Sequence, residues 1–421
     1  MSLTFWFFSL LLLFFNLWTL YNIPVVVAGV RSLLWRRKEK KRSCVATQKR
    51  MPLVSIIVPV KDEEKVVARL LGALLNLDYP SDKKEIVVVN DASSDKTEEI
   101  CNKYASSNAG IAVFSRPEST TKAAALNYGV RCSRGEIIAT FDADSVPEPD
   151  ALLKAVTYFE DVTVAAVQGR ICSINADENM LTKFLSYEGG VQYEVYMAGK
   201  DELNLFVSLA GTCQFVRRSV LEEAGGWNES CLSEDTELSL RLAQRDHVIK
   251  YASDVRTWEE SPFTIRSLIS QRSRWYRGNI ELMSRFGTLL KRPSMRRIDA
   301  EVTLFGTLVM ILCVVNYFMA FWSFSMPPNF VMTMVVQFTS LFTLIILGVV
   351  GIALAYVAKP HSVRSVLWLP FIYVYWGFQS FIAVYALLQE ILRRPRKWSK
   401  TARSGLVTTE HVKELSSECS L

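Results

Sequence analysis

The sequence predicts an α/β protein whose mostly parallel sheet lies between hydrophobic segments at the two ends of the chain. Short apolar runs rich in β-branched residues alternate with stretches of helical spacing, a pattern typical of a parallel sheet covered by helices. Long runs without any charged residue precede and follow this alternating region. Half of the 421 residues are hydrophobic, which is more than a soluble domain needs.

Five apolar runs predict the strands, and they occupy residues 54–60, 85–91, 111–114, 136–141 and 164–168. Residues 63–77 and 122–131 have the spacing of helices. In such sheets ligands bind beyond the carboxyl ends of the strands, where the strand order reverses. Polar clusters lie at three of these ends, namely Asp62-Glu63-Glu64, Asn90-Asp91 and Asp142-Ala143-Asp144. The site is therefore expected at this edge, within a domain spanning residues 53–260.

Three runs carry no charged side chain, at residues 1–30, 302–358 and 366–389. A bilayer core needs about 20 apolar residues per helix. The first run is predicted to be one transmembrane helix, although a cleaved signal peptide is the alternative. The region 301–358 is predicted to hold two transmembrane helices, divided near Pro327.

Basic residues predict the orientation of these segments. The linker at residues 31–52 contains the cluster Arg31, Arg36, Arg37, Lys38, Lys40, Lys41 and Arg42. By the positive-inside rule this cluster places the N-terminus outside and the middle of the chain in the cytoplasm. We expect the membrane to be the plasma membrane. The third segment, residues 366–390, has basic flanks at both ends and many aromatic residues, so we expect an interfacial segment, with a spanning helix as the alternative. Residues 391–421 form a basic polar tail.

The composition argues against several other classes of protein. The net charge of +6 lies largely in the membrane-flanking segments, where lipid headgroups account for it, so no nucleic-acid partner is expected. The eight cysteines form no C-x-x-C pair, and with three histidines they complete no zinc pattern. Reduced cytosolic thiols are expected.

Asp142 and Asp144 stand at i and i+2 after a predicted strand. On an extended segment their side chains share one side, where a hard divalent cation takes oxygen ligands together with a diphosphate. The alternative is that the two acids merely solvate a turn, because the next residues carry loop and helix-start signals.

Glu234 and Asp235 follow Ser233 at the start of a predicted helix over 236–245. Acids are favoured in a first helical turn, so capping is one reading. The other reading is catalytic, because a carboxylate near the reacting centre can take the proton of an attacking hydroxyl. Spacing alone does not decide which of the two acids does so.

Gln271, Arg274 and Trp275 share one face of a predicted helix within the region 261–300. Arg274 suits a leaving diphosphate and Trp275 offers a flat surface to a sugar ring. The alternative is an amphipathic helix whose basic and aromatic residues contact lipid headgroups.

Seven motifs in this order resemble membrane-integrated family-2 glycosyltransferases of the processive type, the group of the cellulose, hyaluronan, poly-N-acetylglucosamine and chitooligosaccharide synthases. The motifs are Val-Pro-Val-Lys-Asp-Glu-Glu (58–64), Val-Asn-Asp-Ala-Ser-Ser-Asp (89–95), Lys-Ala-Ala-Ala-Leu-Asn (122–127), Asp-Ala-Asp (142–144), Gly-Thr-Cys-Gln-Phe-Val-Arg-Arg (211–218), Ser-Glu-Asp-Thr-Glu-Leu (233–238) and Gln-Arg-Ser-Arg-Trp (271–275).

The resemblance implies a Rossmann-like GT-A fold, a nucleoside diphosphate sugar donor such as UDP-GlcNAc or UDP-Glc, and Mg2+ or Mn2+. It implies Asp235 as catalytic base and Asp144 as metal ligand. The donor-binding residues it implies are Glu63, Asp91, Lys122, Asp142, Gln271 and Arg274. The acceptor-binding residues it implies are Gly211, Thr212, Cys213, Glu234 and Trp275.

The expected reaction is inverting β-transfer to a growing glycan at the membrane. Lys61 and Asp62 depart from the family pattern, which usually has Tyr-Asn before the glutamate. One alternative is a single transfer to a membrane lipid. A transporter or an inactive receptor with the same fold is another, but the hydrophobic runs carry no charged residue of a transport path. Residues 398–403 bear only a loose similarity to the gating loop of hyaluronan synthases, and a basic membrane-surface tail is expected instead.

Overall fold

A computed structural model describes residues 3–39, 51–286, 293–323, 325, 330–357, 363–395, 403 and 405. The chain divides into two compact units. The sheet unit comprises residues 42–189, 206–268 and 398–421, and the helical unit comprises residues 1–41, 190–205 and 269–397.

One eight-stranded sheet organises the sheet unit. Its strands are β1 (Val54–Val60), β2 (Lys84–Asp91), β3 (Ile111–Arg116), β4 (Ile137–Thr140), β5 (Val146–Pro147), β6 (Val164–Ser173), β7 (Gln214–Arg217) and β8 (Val248–Glu259). The strand order is β3-β2-β1-β4-β7-β6-β8-β5. All five strands that the sequence predicts are present.

The sheet is mixed, whereas the sequence predicts a mostly parallel one. Strands β1, β2, β3 and β4 pair in parallel, as do β6 and β8. Strand β7 runs antiparallel to both of its neighbours, and β5 runs antiparallel to β8. β7 has only four residues and its partners are distant in sequence, so no local pattern predicts whether it runs parallel or antiparallel to them.

The α-helices of this unit are α2 (Val67–Leu75), α3 (Thr97–Ser107), α4 (Lys122–Arg131), α5 (Ala151–Thr157), α8 (Arg218–Ala224) and α9 (Glu234–Gln244), with the first part of α6 (Met180–Gly190). They bury both faces of the sheet. Leu70 of α2 and Leu152 of α5 pack with Ile56 of β1, whereas Ala125 of α4 packs with Val87 on the opposite face of β2. Covering both faces explains why these strands read as continuous apolar runs.

The helical unit contains α1 (Leu3–Glu39), α7 (Ala198–Glu202), most of α10 (Ile265–Phe286), α11 (Met295–Leu304), α12 (Gly306–Ser323), α13 (Phe330–Val357) and α14 (Val363–Ile391). A π-helical segment, Val191–Met197, precedes α7. Lys200 of α7 and Asp299 of α11 form a buried ion pair with an N···O distance of 3.1 Å. This pair ties two helices of the unit together.

Within the described residues, three helices are long and apolar enough to cross a membrane, at residues 6–35, 333–352 and 370–391. A fourth candidate results if the bent pair α11 and α12 counts as one span. The third hydrophobic segment of the sequence is thus a continuous 29-residue helix, and both readings of it remain predictions. The expected break near Pro327 and most of the basic tail lie outside the described residues.

Helix α10 is fixed to α14 by polar contacts. The Ser273 hydroxyl donates to Gln389 at 2.8 Å, and the Tyr276 hydroxyl donates to Gln379 at 2.9 Å. The Arg277 guanidinium donates to Glu390 at 2.5 Å and to the carbonyl of Arg394 at 2.7 Å. These bonds give α10 a defined rotation about its axis within the helical unit.

Candidate active site

Three neighbouring strands of the sheet unit end at a cluster of polar residues. β2 ends at Asp91, Lys61 and Asp62 follow β1, and Asp142 comes two residues after β4. Because β1 lies between β2 and β4, the parallel strands bring these residues to one edge. This is the edge at which the sequence predicts the site, and it is where ligands bind in open α/β sheets.

Lys122 lies at the centre of the cluster. It opens α4, whose N-terminus is capped by the Thr121 hydroxyl oxygen, which accepts from the Ala124 N–H at 3.2 Å. Its ammonium group lies 2.6 Å from Asp142 Oδ1 and donates to the Gly211 carbonyl at 3.1 Å. Burial alone lowers the pKa of Lys122, but the carboxylates of Asp142, Asp235 and Glu234 raise that pKa by more. Lys122 is therefore held in its charged form.

Gly211 lets Lys122 and Asp235 approach each other. Its φ is +85°, and a Cβ added here meets Asp235 Oδ2 at 2.6 Å and Lys122 Nζ at 3.0 Å. The Asp235 carboxylate and the Lys122 ammonium thus reach the same side of this glycine. Any larger residue at position 211 both strains the backbone and collides with them.

The Asp235 carboxylate receives hydrogen bonds from two side chains outside its own helix. Its Oδ1 accepts from Gln214 Nε2 at 3.0 Å and from Trp227 Nε1 at 3.2 Å. Ser233, which precedes α9, forms no side-chain capping bond with it. The contacts of Asp235 are therefore those of a fixed site residue rather than those of a helix cap.

Asp142 and Asp144 lie in a turn, not on an extended strand as the spacing argument assumes. The Ser145 N–H donates to the Asp142 carbonyl at 2.9 Å, which closes the turn. As a result the two side chains differ in exposure, at 32% for Asp142 and 5% for Asp144. Asp142 contacts Lys122, whereas the Asp144 side chain is buried.

Asp144 is the residue best suited to hold a divalent cation. Its Oδ2 is buried without a hydrogen bond, and a carboxylate oxygen is the ligand that Mg2+ and Mn2+ take. Within the described part of the chain, no three His, Cys, Asp or Glu side chains stand close enough to hold a metal alone. The site thus fits a cation that takes its other ligands from phosphate oxygens and water.

Arg403, from the C-terminal tail, occupies the space beside Asp144. Its guanidinium lies 3.1 Å from Asp144 Oδ2 and donates to the backbone carbonyl of Glu260. The Gly405 N–H donates to the Glu260 carboxylate at 3.3 Å, and Arg69 forms an ion pair with that carboxylate at 2.9 Å. The sequence predicts a membrane-surface tail here, but this part of the tail is fixed at the site because Asp144 and neighbouring carboxylates attract the arginine.

Replacing Arg403 by glutamine should raise the affinity of the donor-free protein for Mn2+, because the guanidinium and the cation compete for Asp144. We expect about a tenfold gain, equivalent to ~1.4 kcal/mol. Electron paramagnetic resonance of free Mn2+ during a titration measures it. R134Q is the matched control, because the Arg134 side chain is 83% exposed. Equal Mn2+ affinity in wild type, R134Q and R403Q contradicts the competition.

Glu259 is a further acid of the site and is not among the residues predicted from the sequence. Its carboxylate accepts from the Ser145 hydroxyl at 2.6 Å, and that hydroxyl lies 2.8 Å from the Thr212 hydroxyl. Burial, together with the charges of Asp144 and Asp142, raises the pKa of Glu259 to about 8. The site therefore holds a proton at neutral pH that unfolding releases.

This proton should make the cation-free protein less stable as the pH rises. The folded chain holds it up to a pKa of about 8, whereas the unfolded chain releases it near 4.5. Between these values the folded state binds more protons, so its free energy of unfolding falls by about 2 kcal/mol from pH 6 to pH 8. E259Q should lose this part of the pH dependence, as melting temperatures in EDTA will show. E160Q, at an exposed glutamate, is the control. If the melting temperature of E259Q depends on pH as that of E160Q does, the prediction is wrong.

Asp91 is held by hydrogen-bond donors at the outer end of the cluster. It accepts from Arg116 at 2.6 Å and from the Ser119 hydroxyl at 2.6 Å, and Lys61 donates to Ser119 at 2.6 Å. The Glu63 N–H donates to the Thr97 hydroxyl at 2.7 Å. The carboxylate of Asp91 is thus held by Arg116 on one oxygen and by the Ser119 hydroxyl on the other.

Thr212, Cys213 and Glu234, which are predicted to bind the acceptor, have different contacts in the site. The Thr212 hydroxyl accepts from the Asp142 N–H at 3.2 Å. Cys213 is fully buried with φ +49°, and its sulfur lies 2.4 Å from where a Cβ on Gly169 would stand. Its side chain thus supports the site from behind. Glu234 is 7% exposed at the start of α9, and its charge acts on Lys122.

Gln271, Arg274 and Trp275 belong to the helical unit, on α10. Gln271 is 9% exposed, whereas Trp275 is 40% exposed and lies under the Arg272 guanidinium, 4.4 Å from the ring centre. Their roles toward a ligand stay predictions.

Four residues of the site are not among those predicted from the sequence: Gln214, Trp227, Glu259 and Arg403. Gln214 lies within the motif at residues 211–218, two positions after Thr212, so the sequence could have identified it. Trp227 follows Gly225-Gly226, a turn signal shortly before Asp235. Arg403 ends the segment 398–403, whose loose similarity to a gating loop gave way to the expectation of a membrane-surface tail.

Comparison with known proteins gives these residues a context. Residues 52–278 match the family described as "Glycosyltransferase like family 2". The probable glycosyltransferase YdaM of Bacillus subtilis is 33% identical over 311 residues, covering 72% of this chain and 73% of YdaM. The beta-monoglucosyldiacylglycerol synthase of Trichormus variabilis is 36% identical, covering 58% of this chain and 53% of the synthase. Glucomannan 4-beta-mannosyltransferase 1 of Oryza sativa is 28% identical, covering 62% and 53% respectively.

Among solved structures, the mannosyltransferase PcManGT from Pyrobaculum calidifontis, in complex with GDP-Man and Mn2+, has a similar fold. The TM-score is 0.59 at 20% sequence identity, and the match covers 90% of this chain and all of PcManGT. The chain spans about half the length of two of the three relatives above.

Proposed function

Because the chain belongs to glycosyltransferase family 2 and is an enzyme of that class, we propose that it moves a sugar from a uridine diphosphate donor to an acceptor at the membrane, with inversion at the anomeric carbon. The observation that carries this proposal is the placement of Lys122 between Asp142 and Asp235. A donor-side acid and a second carboxylate thereby face one cation in a single cleft.

In the proposed reaction the acceptor hydroxyl attacks the anomeric carbon of the donor. The new carbon–oxygen bond forms as the bond to the diphosphate breaks, and the proton passes to Asp235. The nucleoside diphosphate leaves with the electron pair. One displacement converts an α-linked donor into a β-linked product.

The protein and a cation share the charge of the diphosphate. Lys122 and, by resemblance, Gln271 and Arg274 bind the donor, and Asp142 contacts the nucleotide. Asp144 holds the divalent cation, which, when bound, neutralises charge on the leaving group. PcManGT, whose fold is similar, is in complex with Mn2+.

Uridine as the base of the donor is what the resemblance implies. Asp91 accepts from Arg116 and from the Ser119 hydroxyl, to which Lys61 donates. In this proposal the Asp91 carboxylate contacts the base.

A growing glycan is the first candidate acceptor, since the full set of motifs resembles polymer-forming enzymes and a glucomannan mannosyltransferase is among the relatives. Gly211, Thr212, Glu234 and Trp275 contact the acceptor in this proposal. A membrane lipid accepting one sugar is the second candidate. It is favoured by the 36% identity to a monoglucosyldiacylglycerol synthase, higher than the 28% of the mannosyltransferase.

The candidate membrane helices support a site that works at a lipid surface. We place the N-terminus outside and the sheet unit in the cytoplasm of the plasma membrane, because the basic residues at the end of α1 prefer the cytoplasmic side. A cytoplasmic site has access to the nucleotide-sugar pool, and the acceptor is a glycan or lipid at the bilayer.

The test is a donor panel with product analysis. Detergent-purified protein with Mn2+ is incubated with several UDP-sugars and GDP-mannose, with lipid or oligosaccharide acceptors, and nucleotide release is measured. Release from a UDP-sugar with a glycosylated product supports the proposal, and a ladder in the mass spectrum separates polymer from single transfer. Absence of turnover across the panel contradicts it.

A further inference from the structure

We propose that Trp227 and Gln214 are positioning residues that turn Asp235 so that only its Oδ2 is offered to the acceptor. The proposal rests on the proposed function, in which Asp235 takes the acceptor proton. It assigns roles to two residues that lie in the sheet unit with Asp235.

The two donors occupy the same oxygen of the carboxylate. Gln214 Nε2 and Trp227 Nε1 both donate to Oδ1, at 3.0 Å and 3.2 Å. Oδ2 lies instead on the side of Gly211 and Lys122, 2.6 Å from the position of a Cβ on Gly211. A carboxylate with one oxygen held by two N–H groups loses the freedom to rotate, so the other oxygen keeps a fixed direction.

Gln214 is itself fixed at both ends of its amide. It is fully buried, and its Oε1 accepts from the Gly211 N–H at 3.2 Å while its Nε2 donates to Asp235. This arrangement settles which end of the amide faces the carboxylate. Gln214 thus links the orientation of the Asp235 carboxylate to the backbone of Gly211.

Trp227 is held by α4, the helix that also carries Lys122. Asn127 donates to the Trp227 carbonyl at 2.8 Å and accepts from the Trp227 N–H at 2.9 Å. The indole is 2% exposed, so it has little freedom to move. One helix therefore carries both Lys122, on the Gly211 side of the carboxylate, and Asn127, which holds the indole donor of Oδ1.

The test is the steady-state kinetics of W227F and Q214M in the full-length enzyme. W227F removes one N–H donor, whereas Q214M removes one N–H donor and the acceptor of the Gly211 N–H, and both keep a side chain of similar shape. For each variant we expect kcat to fall about tenfold, the scale of one lost hydrogen bond to a charged group. The KM for the UDP-sugar should stay unchanged, because neither side chain binds the donor. Q214M keeps the test open if W227F fails to fold.

W258F is the matched control, because Trp258 is equally buried but its indole donates to Glu148 at 3.4 Å. A drop in kcat in W227F and Q214M, at unchanged donor KM and with W258F near wild type, supports the positioning role. Wild-type kcat in both variants, or a parallel loss of kcat and donor affinity, overturns it. The proposed function fails separately, when D235N itself retains turnover.

Discussion

Replacing Asp235 by asparagine should reduce sugar transfer by roughly 10²–10⁴-fold while nucleotide binding stays nearly intact. The carboxamide has the shape of the carboxylate, and its oxygen still accepts from Gln214 and Trp227. It has no basic oxygen left for the acceptor proton, and general-base catalysis is worth roughly 10²–10⁴ in rate. Turnover of a UDP-sugar and UDP affinity by calorimetry measure the two effects.

D254N provides the comparison for D235N. Asp254 lies on β8, is exposed, and accepts a hydrogen bond from the Tyr158 hydroxyl at 2.7 Å. It should behave as wild type. Unchanged turnover in D235N would assign the base to another residue, and a loss of UDP binding as large as the loss of turnover would show that Asp235 belongs to the donor site.

Replacing Asp144 by asparagine should affect a different quantity, the dependence of donor binding on the cation. Asp144 is a buried acid of the site, and its Oδ2 lies beside Arg403, with which a divalent ion competes. Because D144N lacks this charge, we expect the gain in UDP affinity on adding Mn2+ to be about tenfold smaller than in the wild-type protein. Calorimetric titrations of UDP with Mn2+ and with EDTA give the difference.

D150N is the matched control for D144N, because Asp150 lies near in sequence but pairs with Lys154 at a side-chain exposure of 44%. If D144N binds UDP with the wild-type dependence on Mn2+, the cation is held elsewhere. If D144N and D235N show the same pattern of binding and turnover, the separation between a metal ligand and a base is wrong.

The sequence predicts well those parts of the fold that local patterns encode. β1 and β2 are buried on both faces, so their apolar runs are unbroken, and the acids that follow them mark the ligand edge. The helix predicted at residues 122–131 has these bounds in the structure. Lys122 and Asp142 are 20 residues apart in the chain, yet parallel pairing of β1 with β4 brings their segments to one edge.

Pairing between distant segments is what the sequence does not encode locally. β7 enters the sheet between β4 and β6, antiparallel to both, and four residues give no signal of direction. β8 carries buried and exposed positions in irregular alternation with register shifts, so its periodicity is weak. These strands make the sheet mixed.

The same limit applies to the site. Trp227 reads as a core aromatic after a glycine turn, and only the structure shows its N–H on Asp235. Arg403 reads as one more cation of a basic tail, and its position beside Asp144 depends on a contact across more than half of the chain. The membrane topology and the roles of Gln271, Arg274 and Trp275 stay predictions.

The anomeric configuration of the product tests the central claim most directly, because a base and a donor facing each other in one cleft permit a single displacement. The product formed from an α-linked UDP-sugar is isolated, and its anomeric proton is examined by NMR. A β-linkage is the predicted result. An α-linked product requires a different route and contradicts the assignment of Asp235 as the base.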